Sequence, residues 1–302
     1  MTDKQNESSN LSSHDDELVD RRRFLTASGG AAGALSMAAL AGSAGESAAQ
    51  SSEDRRVILI ADAQTHMMPA LALEMARRGH NLVIGPPADG LEAQLKELGA
   101  EVEIVAAAEN INEAGAAQAL VDAAKKRFGK YDSAAIRTGS HTVDTVLTAS
   151  TENADQMYKD CFLSVMYALQ AVLPSLTDQG SGQVLINTSA SGYRPAPTAS
   201  TYSAMRAAAN SLIRSAALNV GGTGVIVNGI GTYALDYPGF TESIKEAAKT
   251  DPDALEKVNA TLPMGRLGQP EECAHLAASL VDGKSNFSTG QFIALDGGWS
   301  FV

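Results

Sequence analysis

The chain has 302 residues, 44% of them hydrophobic, enough to build one large α/β domain with a full core. Its formal net charge of -12, with no Lys/Arg-rich run after residue 23, argues against a nucleic-acid phosphate backbone as partner. Cys161 and Cys273 are two lone thiols without metal-ligand spacing, so neither a disulfide framework nor a metal site is expected, and both read as buried packing residues.

Residues 1–49 differ in kind from the rest. A polar run rich in Ser, Asn and Asp leads to Arg21, Arg22, Phe24 and Leu25, the pattern of a twin-arginine export signal. The uncharged stretch that follows is mostly Ala, Gly and Ser, too weakly apolar for a membrane anchor, and its small residues suit cleavage after Ala44 or Ala49. The expectation is a periplasmic or extracellular protein, exported folded, with no stable membrane insertion after cleavage.

From Arg56 onward short apolar runs alternate with amphipathic segments. RVILIA (56–61), NLVIG (81–85), EVEIV (101–105), SAAI (133–136), QVLINTS (183–189), GVIVNGIG (224–231) and QFIAL (291–295) read as seven buried strands. Segments such as PALALEMARRG and AGAAQALVDAAKKRFG are long enough to be crossover helices. Strand and helix alternating in this way predict a Rossmann-like doubly wound parallel sheet of about seven strands, one domain over residues 50–302. The stretch 233–263 breaks the rhythm, and an insertion there would overhang the carboxyl ends of the strands as a lid.

INTSASGYRPAPTASTYSAMRAAANSLIRSAALNVGGTGVIVNGIG, followed by LPMGRLGQPEECAHLAASLVDGKSNFSTGQFIALDGGW, resembles the second half of a short-chain dehydrogenase/reductase. That resemblance implies a serine thirteen positions before the catalytic tyrosine, and Ser189 and Tyr202 fit. It also implies a lysine four residues after the tyrosine, where this chain has Arg206; on a helix the two side chains share a face.

The first half departs from that pattern. ADAQTHMMPALA puts Asp62, His66 and Met68 where the family's pyrophosphate-binding glycines fall, and VIGPPADG has no acidic residue at the strand end for an adenosine ribose. The family's NNAG becomes IRTG (136–139), and the helix asparagine of its proton relay aligns with Cys161. Met67 and Met68 read as packing residues.

Ser189, Tyr202 and Arg206 resemble the triad of the halohydrin dehalogenases, a cofactor-independent branch of this fold. The implied reaction is a lyase step: the phenolate of Tyr202 deprotonates a vicinal haloalcohol held by Ser189, and the alkoxide expels halide to close an epoxide, reversibly. A phenol ordinarily ionises near 10, so a phenolate near neutral pH needs roughly 4 kcal/mol of differential stabilisation, a task for the Arg206 charge. The anion and substrate pocket is expected from His66, Thr138, Thr232, Tyr233, Ala234 and Leu235. On this reading there is no cofactor and no metal; the partners are a small haloalcohol or epoxide and a small anion, and the assembly a homo-oligomer, tetramer or dimer. The alternatives are an NAD- or NADP-dependent short-chain oxidoreductase acting on a carbonyl or alcohol, and a non-catalytic binding protein on the same scaffold.

Overall fold

The computed structural model describes residues 55–302, which fall within one compact unit, Gln50–Val302. The twin-arginine segment lies outside the described residues. Seven strands appear where the apolar runs predict them: β1 (Val57–Ile60), β2 (Asn81–Ile84), β3 (Val102–Ile104), β4 (Ser133–Arg137), β5 (Gly182–Ser189), β6 (Val225–Thr232) and β7 (Phe292–Leu295). All pair in parallel, in the order β3-β2-β1-β4-β5-β6-β7. The chain therefore reverses its direction of winding between β1 and β4, the crevice where doubly wound sheets bind ligands.

The strands are buried on both faces because the pleat sends alternate side chains into two separate layers. Val57 and Leu59 join one cluster with Leu120, Val165, Val172 and Ile213; Ile58 and Ile60 join the other with Leu71, Met75, Leu95 and Ala277. The first layer is covered by α3 (Ala116–Phe128), α5 (Ser164–Gln179) and α6 (Ser200–Asn219). The second is covered by α1 (Met68–Arg77), α2 (Leu91–Glu97) and α9 (Pro270–Val281). Both cysteines are buried, as expected, one on each side: burial raises the Cys161 thiol pKa, and burial, then the Glu272 charge, push that of Cys273 up to about 12. Met67 and Met68 are fully buried packing residues.

Local chemistry fixes the helix ends that matter for the site. Helix α4 (Thr151–Tyr158) starts at Ser150, whose hydroxyl accepts from the Asn153 amide at 3.1 Å, and passes through a π-turn at Lys159–Leu163 into α5. The loop between β4 and α4 is tied to the start of α6 by Asp144, whose carboxylate accepts from the Thr201 amide at 3.1 Å and from the Thr201 hydroxyl. The stretch 233–263 folds as α7 (Pro238–Ala248) and α8 (Ala254–Ala260), anchored where Asp236 N donates to Gly268 O at 2.8 Å.

Candidate active site

Ser189 is the last residue of β5 and lies in register with Thr232, the last residue of β6. Its hydroxyl oxygen accepts from the Ser191 amide at 3.2 Å, which leaves its own hydrogen free to donate. Tyr202 occupies the first turn of α6, and Arg206 sits one turn further along the same face. The Arg206 guanidinium carbon lies 5.1 Å from the centre of the Tyr202 ring, and Nη2 donates to the Thr138 carbonyl at 2.5 Å. Only 2% of Arg206 is exposed, and its Nε and Nη1 are buried without a protein partner. Burial opposes the charge, but the neighbouring Tyr202 and Cys161 side chains outweigh it and raise the Arg206 pKa.

Gly139 makes room for this guanidinium. Its φ of +100° disfavours any side chain, and a Cβ built there would lie 2.1 Å from Arg206 Nη2. Thr138 is fully buried behind Arg206 and touches it through its carbonyl; its hydroxyl faces no cleft, contrary to its expected place in the pocket wall. Cys161, in the expected relay position, donates its thiol to the Ser140 carbonyl at 3.4 Å.

Ser189, Tyr202, Arg206, His66, Thr232, Tyr233, Ala234 and Leu235 all line one cleft of about 520 Å³ at the carboxyl ends of the strands. His66 does so as a packed ring: it stacks on Tyr237 with centroids 4.1 Å apart. Burial, then the charges of Arg137 and Arg206, lower its pKa to about 2, so it is neutral and serves as no cationic anion trap. The stretch 233–263 sends Tyr237, Phe240 and Ser243 into the cleft.

Four contributors escaped the sequence reading. Arg137, at the end of β4, pairs with Asp62 at 2.8 Å. His141 meets the Tyr202 ring edge-on at 4.9 Å. Gly139 and Tyr237 are the others. A usable signal existed for the first pair only: opposite charges just past two strands that the doubly wound order places side by side.

A profile of the family described as enoyl-(acyl carrier protein) reductase matches residues 68–300. The chain is 26% identical over 249 residues to 2,5-dichloro-2,5-cyclohexadiene-1,4-diol dehydrogenase of Sphingobium indicum, covering 81% of this chain and 96% of that one. It is 26% identical over 254 residues to levodione reductase of Leifsonia aquatica, covering 81% and 94%. The crystal structure of L-sorbose reductase from Gluconobacter frateurii, complexed with NADPH and L-sorbose, superposes with a TM-score of 0.75 at 20% identity, over 82% of this chain and 97% of that one.

These likenesses overturn the expected halohydrin dehalogenase-type lyase and its cofactor-free site. The named relatives are a dehydrogenase and reductases, matched across four-fifths of the chain, and the solved one holds NADPH on this fold. The geometry explains the error. The expected pocket for a small anion is instead a cleft of about 520 Å³, with Arg206 at its wall, held against Thr138 and Gly139. With one parallel seven-stranded sheet, a matched Ser-Tyr pair and a family profile spanning most of its length, the chain belongs to the short-chain dehydrogenase/reductase superfamily.

Proposed function

We propose that the chain is a nicotinamide-dependent oxidoreductase interconverting a carbonyl compound and an alcohol. The observation that carries this reading is the convergence, on one cleft, of the Ser189 hydroxyl, the Tyr202 phenol and a buried guanidinium with two unpaired donors. Arg206 lines that cleft, and a guanidinium there suits a ligand rich in acceptor oxygens, such as the ribose beside a nicotinamide. Arg206 would hold that ribose, with Gly139 and Thr232 framing it. When bound, the nicotinamide supplies or accepts the hydride.

The protein's own residues handle the proton and the orientation. Ser189, its oxygen already engaged by the Ser191 amide, donates to the substrate oxygen and fixes its direction. Tyr202 delivers a proton to that oxygen in reduction and removes it in oxidation. The Arg206 guanidinium sits beside the Tyr202 ring and keeps its own proton throughout. Val143, Ala196, Tyr233 and Phe240 line the mouth, which supports a substrate whose carbonyl is carried on an apolar skeleton.

The proposal includes export through the twin-arginine route; replacing Arg21 and Arg22 by lysine should retain the protein inside cells. It also includes a homo-oligomer, supported by an apolar groove of about 510 Å³ between α5 and α6 that Leu169, Leu173 and Leu212 line. The enzymatic reading is tested with purified protein, NADH or NADPH, and a panel of apolar ketones and aldehydes. Dinucleotide oxidation that depends on the carbonyl is expected, and Tyr202→Phe should lower kcat by roughly 10²–10⁴. Carbonyl-dependent oxidation that survives Tyr202→Phe would remove the phenol from the chemistry.

A further inference from the structure

At the crevice between β1 and β4 the protein carries an anion of its own. Asp62 follows the end of β1. Its Oδ1 accepts from the amides of Gln64 at 3.0 Å and Thr65 at 3.3 Å, and its Oδ2 from the Thr65 hydroxyl at 2.7 Å and Arg137 Nη1 at 2.8 Å. Those amides belong to the turn entering α1, and a sheet wound in this way receives a dinucleotide's diphosphate at that turn. The carboxylate therefore already holds two N–H donors, a hydroxyl and a guanidinium that a diphosphate oxygen would use. As it stands, this end of the cleft does not fit a diphosphate.

Arg206, which lines the same cleft as Arg137, keeps two buried nitrogens without a protein partner. The charged and titratable groups around Asp62 are Arg137, paired with it, and the Tyr237 phenol, which feels its charge and stacks on the neutral His66. No glycine lies between Asp62 and Met68 to let backbone close around a phosphate, so a side-chain cation has to supply what the turn lacks.

Resting on the oxidoreductase reading above, we propose that Asp62 is a built-in competitor for the cofactor's diphosphate and Arg137 its reserved counter-ion. Arg137 and the Gln64 and Thr65 amides would hold a diphosphate only if the Asp62 carboxylate gave them up. No covalent bond changes. The wild-type chain pays for its ordered loop with weak dinucleotide affinity, and the affinity is set by an ion pair rather than by a glycine turn.

The test is equilibrium titration of the purified full chain with NADH and NADPH, read by calorimetry and independent of turnover. Asp62→Asn, which keeps the side-chain volume and removes the charge, should tighten binding at least tenfold. Asp62→Ala combined with Arg137→Gln should return it to the wild-type value or below. Thr65→Val, which removes one donor to the carboxylate and leaves its charge, should tighten binding by a smaller factor and serves if the Asp62 variants unfold. Adenosine, which has no phosphate, should bind all variants alike. Wild-type binding that Asp62→Asn and Thr65→Val leave unchanged or weaken would overturn the competitor and leave the oxidoreductase reading intact. No binding of either dinucleotide to wild type or to any folded variant would overturn both.

Discussion

Arg206 sits almost wholly out of water with only one of its nitrogens, Nη2, bonded to a protein acceptor. The two nitrogens left unpaired, Nε and Nη1, cost the unliganded fold about 1–3 kcal/mol each. Arg206→Met should therefore raise the melting temperature while abolishing turnover; a lowered melting temperature would mean that the guanidinium holds the fold together. Gly139→Ala meets the same guanidinium from the other side, at +100° in φ and with 2.1 Å of separation, and should displace it, costing about 1–3 kcal/mol in denaturant melts and most of the activity. His66 gives a pH prediction. Its folded-state pKa is depressed to about 2, below the ordinary 6.5, so below about pH 6.5 the unfolded chain takes up a proton that the folded chain refuses. This contribution is fully present above that pH and is lost on acidification, by up to about 1.4 kcal/mol per pH unit. Urea melts between pH 7 and pH 5 should show a shallower acid decline in His66→Gln than in wild type.

The strands were the most legible elements. Each apolar run ends in a turn or charge, and the alternation of Val57 and Leu59 against Ile58 and Ile60 is the pleat feeding two layers. Leu59, fully buried on β1 at one side of the crevice, should cost about 2–5 kcal/mol when cut to alanine, measured by chemical denaturation, with the cleft chemistry retained in the folded fraction. The site was legible where it lies within one element or along one strand end: Ser189 on β5, and Tyr202 and Arg206 on α6. It was opaque where it depends on which strands are neighbours. Asp62 and Arg137 are 75 positions apart and meet only because β1 pairs with β4. Without that pairing Asp62 reads only as a missing glycine and Arg137 as a lost asparagine. Likewise, the Tyr237 ring reaches His66 only after 233–263 folds back over the sheet.

At the scale of the whole molecule, the misreading of the reaction has a physical origin. A missing glycine reads as lost affinity for a dinucleotide, but binding can be redistributed, and here Arg206 and the Asp62-paired Arg137 both line the cleft of a chain whose net charge is -12. Two cations gathered on one cleft of an acidic protein favour an anionic ligand there, whichever backbone surrounds it. Hydride chemistry also leaves a trace that no binding measurement can supply. The most direct measurement is therefore turnover of an apolar ketone with a dinucleotide deuterated at the transferring carbon of its nicotinamide, the alcohol product being analysed by mass spectrometry. Deuterium on the carbinol carbon of the product, with far less product formed by Tyr202→Phe, is the predicted result. Product formed without the label, or formed equally well with no dinucleotide present, would contradict it.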